Sequence, residues 1–160
     1  MRGIGGLPEQ SKDLGILNTI NTHMISKVFI DTNIFVALRD ETDSTHTKAI
    51  HLYKVLKSDN TKFITSSDVI AESLTVISKK LGKKSAIDFL GGIGAFAKEI
   101  FIDENLHKET RKCFRRIKSK NISFVDCSSV IAMRKNKIGV IFSFDQDFKK
   151  LGVKLFEDIV

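Results

Sequence analysis

KVFIDTNIFVAL, residues 27–38, reads as a short apolar strand, then three polar residues (Asp31, Thr32, Asn33), then the apolar opening of a helix at Ile34–Leu38. A buried strand that hands directly to a helix is the opening unit of an α/β layer structure. Asp31 falls where ligands of such folds gather, beyond the carboxyl end of a strand. It could also be no more than a helix N-cap, a role that Thr32 or Asn33 could fill as well.

Outward from this segment the same alternation continues. Apolar runs of strand length recur at KFIT (62–65), EIFI (99–102), VIFSF (140–144) and VKLF (153–156). Between them lie helical patterns over 46–56, 67–81, 85–97, 104–117 and 124–134. Gly91, Gly92 and Gly94 weaken the third of these. Asp103 is placed to cap the fourth, and Ser123 with Asp126 has the spacing of a capping box on the fifth. The expected fold is an α/β three-layer sandwich with a mostly parallel central sheet. Residues 1–23 hold Gly3, Gly5, Gly6 and the only proline, Pro8, without sustained periodicity. They are expected to form a flexible extension ahead of a domain spanning 24–160.

A chain of 160 residues is most simply one domain, large enough to hold a core without disulfides or a structural metal. Cys113 and Cys127 have neither metal-ligand spacing nor a secreted disulfide pattern, so both are expected as buried thiols. No apolar stretch reaches the length of a membrane span, and the first residues lack the apolar run of a signal peptide. A reducing cytoplasm is the expected compartment. Of the twelve Phe, those at 29, 35, 63, 89, 101, 114, 142 and 156 fall in apolar or periodic stretches; nearly all are expected in the core, with a base-stacking platform as the alternative.

The net charge is +7, and residues 1–23 contribute none of it, since Arg2 and Lys12 cancel Glu9 and Asp13. The densest basic run is His107–Lys120, seven Lys and Arg against Glu109 alone. Such a run draws polyanions without regard to sequence. It would serve equally as a solvated helix face.

Four acids stand at strand ends or on helix faces: Asp31, Glu72 in SSDVIAESL, Asp126 in ISFVD and Asp145 after VIFSF. Singly, each has a bland reading as cap, turn or surface residue. Glu72 has mostly apolar neighbours, and Asp68, one turn earlier, could assist it. Together they would put four carboxylates at one sheet edge, which is unfavourable without compensation. A hard divalent cation with oxygen ligands is the simplest compensator.

VFIDTNIFVAL, SSDVIAESL and SFVDCSSVIAMRKNKIGVIFSFDQDF, in that order, resemble a PIN-domain ribonuclease from about Lys27 to Val160, most like the VapC-type toxins of toxin–antitoxin pairs. DETDSTHTKA also resembles the family's D-x-x-H-x-x-A stretch at Asp43, His46 and Ala49. The resemblance implies Asp31, Glu72, Asp126 and Asp145 as catalytic acids that hold Mg²⁺ or Mn²⁺. Asp147 is a further candidate ligand, with Thr32, Asn33 and Ser143 as supporting donors. It implies an RNA substrate, a homodimer and a small antitoxin partner, and no membrane. Ser129 stands where some relatives carry another acid. A housekeeping RNA-processing enzyme would share this chemistry. A catalytically silent RNA- or protein-binding module would not need all four acids. A phospho-accepting receiver domain would want an adjacent acidic pair after the first strand, whereas Ile30 and Thr32 flank Asp31.

Overall fold

The computed structural model describes residues 25–160, so the expected extension over 1–23 lies outside it. Five strands form one all-parallel sheet: β1 (Lys27–Ile30), β2 (Lys62–Ser66), β3 (Lys98–Ile100), β4 (Val140–Phe142) and β5 (Lys154–Leu155). Their spatial order is β3-β2-β1-β4-β5. The chain first builds outward from β1 to one side, then returns to build on the other. The order therefore reverses between β1 and β4, and the crevice beyond their carboxyl ends is where ligands of open parallel sheets bind. Asp31 follows β1 and Ser143–Asp145 follow β4, so the topology alone brings them together. The Asp31 N–H donates to the Phe142 carbonyl at 3.2 Å and carries the pairing one residue past the strand.

Among the described residues six α-helices flank the sheet: α1 (Thr32–Ala37), α2 (His46–Ser58), α3 (Ser67–Leu81), α4 (Lys83–Phe96), α5 (Glu104–Arg116) and α6 (Phe124–Lys135). β1 sits in the middle with Val28, Phe29 and Ile30 buried, and a parallel strand covered on both faces is expected to be continuously apolar. α4 forms in full despite its glycines. Ala86, Phe89 and Ile93 recur on one face and are buried, and this packing outweighs a propensity cost of about 1 kcal/mol per glycine. Phe89 lies 5.2 Å from Phe35 and ties α4 to the segment that opens at Asp31.

Two aromatic expectations fail. Phe101 is 72% exposed and Phe114 43% exposed. Phe101 follows β3, an edge strand of three residues with no further strand beside it among the described residues. Phe114 belongs to α5, whose one fully buried residue is Thr110, so apolar periodicity there does not mark a core face. Cys127 is buried as expected; Cys113 is only half-buried. No helix among the described residues is long and apolar enough to cross a membrane.

Candidate active site

Beyond β1 and β4 opens a cavity of about 470 Å³ lined by Asp31, Glu72, Asp126 and Asp145 together with Asp43 and Lys80. Each acid arrives on a different element. Asp31 takes the N-cap position of α1 in extended conformation but makes no capping bond with its side chain, which is left for other work. Asn33 Nδ2 and Ser143 Oγ both donate to its Oδ2, at 2.8 Å each. Ser143 Oγ also accepts from Asn33 Nδ2 and the Asp145 N–H, and Asn33 Oδ1 accepts the Phe144 N–H. This web binds the ends of β1 and β4 into one rigid floor.

Glu72 comes from the second turn of α3. Its Oε2 accepts from Thr32 Oγ1 at 2.6 Å, and Thr32 Oγ1 accepts in turn from the fully buried Ser73 hydroxyl. Asp68 does not assist it: its carboxylate accepts from Ser128 Oγ at 2.6 Å and is absent from the cavity lining, because the first turn of α3 faces α6. Asp126 closes a complete capping box with Ser123, accepting the Ser123 N–H on Oδ2 at 2.6 Å. The cap and the cavity lining are thus one residue, since the box leaves Oδ1 free of protein donors among the described residues. Asp145 Oδ1 accepts from the Asp147 N–H. Asp147 itself is paired with Lys150 and does not line the cavity. Ser129, one turn beyond Asp126, is fully buried and its hydroxyl has no partner among the described residues.

The carboxylates feel burial and one another. Burial pushes the Asp31 carboxyl up to about 7, against the Ser143 hydrogen bond and with the charges of Asp126 and Glu72 adding to it. Burial also raises Asp126, with Asp145 and Glu72 contributing. Among the described residues no three Asp, Glu, His or Cys side chains already stand together as a metal cage. The donor set nevertheless fits a hard cation. It is all oxygen, it is acidic in excess, and Glu72, Asp126 and Asp145 each keep one carboxylate oxygen unengaged by protein donors.

Lys80 is the one basic residue lining the cavity among the described residues, and motif reading missed it. The spacing that could have found it is Glu72, Val76, Lys80, one residue per turn along the same face of α3. Its ammonium lies 3.3 Å from Asp40 and 3.4 Å from Asp43. Those two acids are in turn held by Thr42 and Thr45, whose hydroxyl bonds depress both carboxyls below their usual range. His46 Nδ1 lies 2.7 Å from the Ala37 carbonyl and braces the same loop, while His51 is exposed.

The PIN domain family matches residues 28–154. The 23S rRNA-specific endonuclease VapC20 of Mycobacterium tuberculosis is 26% identical over 126 residues, 78% of this chain and 94% of the relative. The crystal structure of Mycobacterium tuberculosis VapC20, described as a Sarcin-Ricin loop cleaving toxin, has a TM-score of 0.71 at 26% identity, covering 79% of this chain and 95% of that one. VapBC2 from Rickettsia felis, solved bound to a DNA fragment from its promoter, has a TM-score of 0.59 at 16% identity, covering 81% and 96%, and supports the fold alone.

Proposed function

The chain belongs to the PIN domain family, and from that premise we propose that it is the toxin of a toxin–antitoxin pair, an endoribonuclease acting through Asp31, Glu72, Asp126 and Asp145. The observation that carries the reading is the convergence of these four acids on one cavity at the switch point of the sheet, with Asp31 driven to a raised pKa by burial and by its acidic neighbours. Four carboxyls gathered in a partly buried crevice carry an electrostatic penalty, and Asp31 answers it by keeping its proton up to about 7. Caps and turns do not require that arrangement.

The reaction is hydrolysis of an RNA phosphodiester. Water adds its oxygen to phosphorus, the bond to the 3′ oxygen breaks, and that oxygen takes up a proton, leaving 5′-phosphate and 3′-hydroxyl ends. Asp31, Asp126 and Asp145 would hold Mg²⁺ or Mn²⁺, with Glu72 ligating or orienting water. A bound cation of this kind supplies Lewis-acid stabilisation of phosphate charge and makes water acidic enough to attack near neutral pH. Ser143 and Asn33 fix the Asp31 carboxylate, and Thr32 fixes that of Glu72, so that few side chains need to reorganise during the reaction. Lys80 lines the same cavity with its charge paired to Asp40 and Asp43.

Small antitoxin binding and homodimer formation belong to the same reading, supported by family membership. Cleavage of labelled single-stranded RNA by the purified chain tests it. Activity should need Mn²⁺ or Mg²⁺, stop in excess EDTA and leave 5′-phosphate ends. Unchanged cleavage in EDTA, or 2′,3′-cyclic phosphate ends, would overturn it.

A further inference from the structure

The cavity that performs the reaction is poorly suited to attract its substrate. Five carboxylates line it, and its single lysine is already neutralised by Asp40 and Asp43. A polyanion needs a landing surface elsewhere. The face of α5 beside α6 has three properties that suit one.

It adjoins the cavity. Phe124 opens α6 between Ser123 and Asp126, and its ring lies 5.3 Å from His107 and 5.7 Å from Phe114. Two of its three rings are open to solvent, Phe114 at 43% and His107, while Phe124 is half-buried. Its charge is available. Lys108 is engaged by Glu104 and Lys112 by Glu109, but Arg111 and Arg115 have no carboxylate partner among the described residues. Positions 107, 111, 114 and 115 share one side of a helix, so aromatic and cationic groups alternate along it.

We propose that this face, with His107, Arg111, Phe114 and Arg115 of α5 and Phe124 of α6, binds the single-stranded RNA that flanks the scissile phosphate. Bases stack on the rings and phosphates pair with the arginines. The inference rests on the ribonuclease reading for the identity of the polyanion. Interleaved rings and cations are the arrangement that holds single strands without sequence preference, because every base offers a π-face. Exposed rings beside arginines can also anchor a protein partner, and the salt slope and ring variants below separate that occupant from RNA.

Binding can be read without catalysis, by fluorescence anisotropy of the full chain in EDTA with a labelled single-stranded RNA of about 12 nucleotides. Arg111→Ala with Arg115→Ala should weaken binding about tenfold and reduce the log–log salt slope by about 1.4, while Lys at both positions keeps the slope. Phe114→Ala should weaken binding about tenfold. Phe114→Leu, which keeps apolar bulk but no ring, should weaken it similarly; wild-type binding by the Leu variant would reduce Phe114 to packing and overturn the stacking assignment. Should Phe114→Ala misfold in a thermal melt, the Leu variant and the arginine pair still decide. Wild-type affinity and slope in all variants would overturn the proposal and leave the face to a protein partner. If the wild type cuts no RNA yet these variants lose binding, the ribonuclease reading fails and the landing surface stands.

Discussion

Asp31 and Arg111 carry their charges under opposite conditions. Asp31 is 5% exposed, fixed by two side-chain donors and crowded by other acids. Arg111 is exposed on a helix with no carboxylate to hold it among the described residues. A buried charge is precise and strongly coupled, and it costs stability; an exposed one is nearly free, screened by salt and loosely placed. Chemistry needs the first kind of group and capture the second. The proposed division is that the cavity does the cutting and the α5 face does the gathering.

The largest effects should come from the cavity. Asp31→Asn should lower cleavage by at least about 10²-fold, through loss of a preorganised charge at the reacting phosphate. The same change should stabilise the metal-free chain above neutral pH. In the folded chain the Asp31 carboxyl keeps its proton up to about 7, while in the unfolded chain it loses it near 3.8. The folded state binds the extra proton between those values, so stability falls as pH rises through that window, by on the order of 2–4 kcal/mol. Urea melts from acid to neutral pH should show this fall in the wild type and much less of it in Asp31→Asn. A fall of equal size in both would remove Asp31 as its source.

Asp126 separates the two roles that meet in one residue. Asp126→Asn keeps an acceptor for the Ser123 N–H, so stability should stay within about 0.5 kcal/mol while activity collapses. Ser123→Ala breaks the other half of the box and should cost about 1 kcal/mol with activity largely kept. The reverse pattern would make Asp126 a cap and nothing more. Thr32→Val cuts the bond to Glu72 and should cost about 1 kcal/mol of stability and roughly tenfold in activity. The α5 changes should have the smallest effect on turnover: Arg111→Ala with Arg115→Ala should leave melts within about 0.5 kcal/mol and raise KM more than it lowers kcat. A loss confined to kcat would bring α5 into the chemistry and erase the contrast.

The sequence was most readable where local rules and burial agree. β1, α3 and the caps at Asp103 and Ser123 stand where apolar runs and capping residues put them. Asp31, Asp126 and Asp145 stand at strand ends or helix starts, which are local features, whereas Glu72, inside α3, entered with the ordered set that carries the resemblance; the fold brings all four to one cavity. Lys80 was not, because its partners Asp40 and Asp43 sit on a loop some 40 residues earlier in the chain. Asp68 was misassigned for a similar reason: helical spacing puts it beside Glu72, but only the packing of α6 supplies Ser128. Phe101 and Phe114 show the limit of periodicity, which marks a face as apolar without saying whether anything covers it.

The central claim is that the cavity acids are held at an electrostatic cost that a divalent cation relieves. Thermal melts of wild type and Asp31→Asn at pH 7.5, with and without millimolar Mn²⁺, test it most directly, since a ligand that binds only the folded state raises Tm by mass action. The account predicts a clear rise with Mn²⁺ in the wild type, most of it lost in Asp31→Asn, although that variant starts from the higher metal-free Tm. Equal rises in both proteins, or a metal-free Asp31→Asn less stable than the wild type, would contradict it.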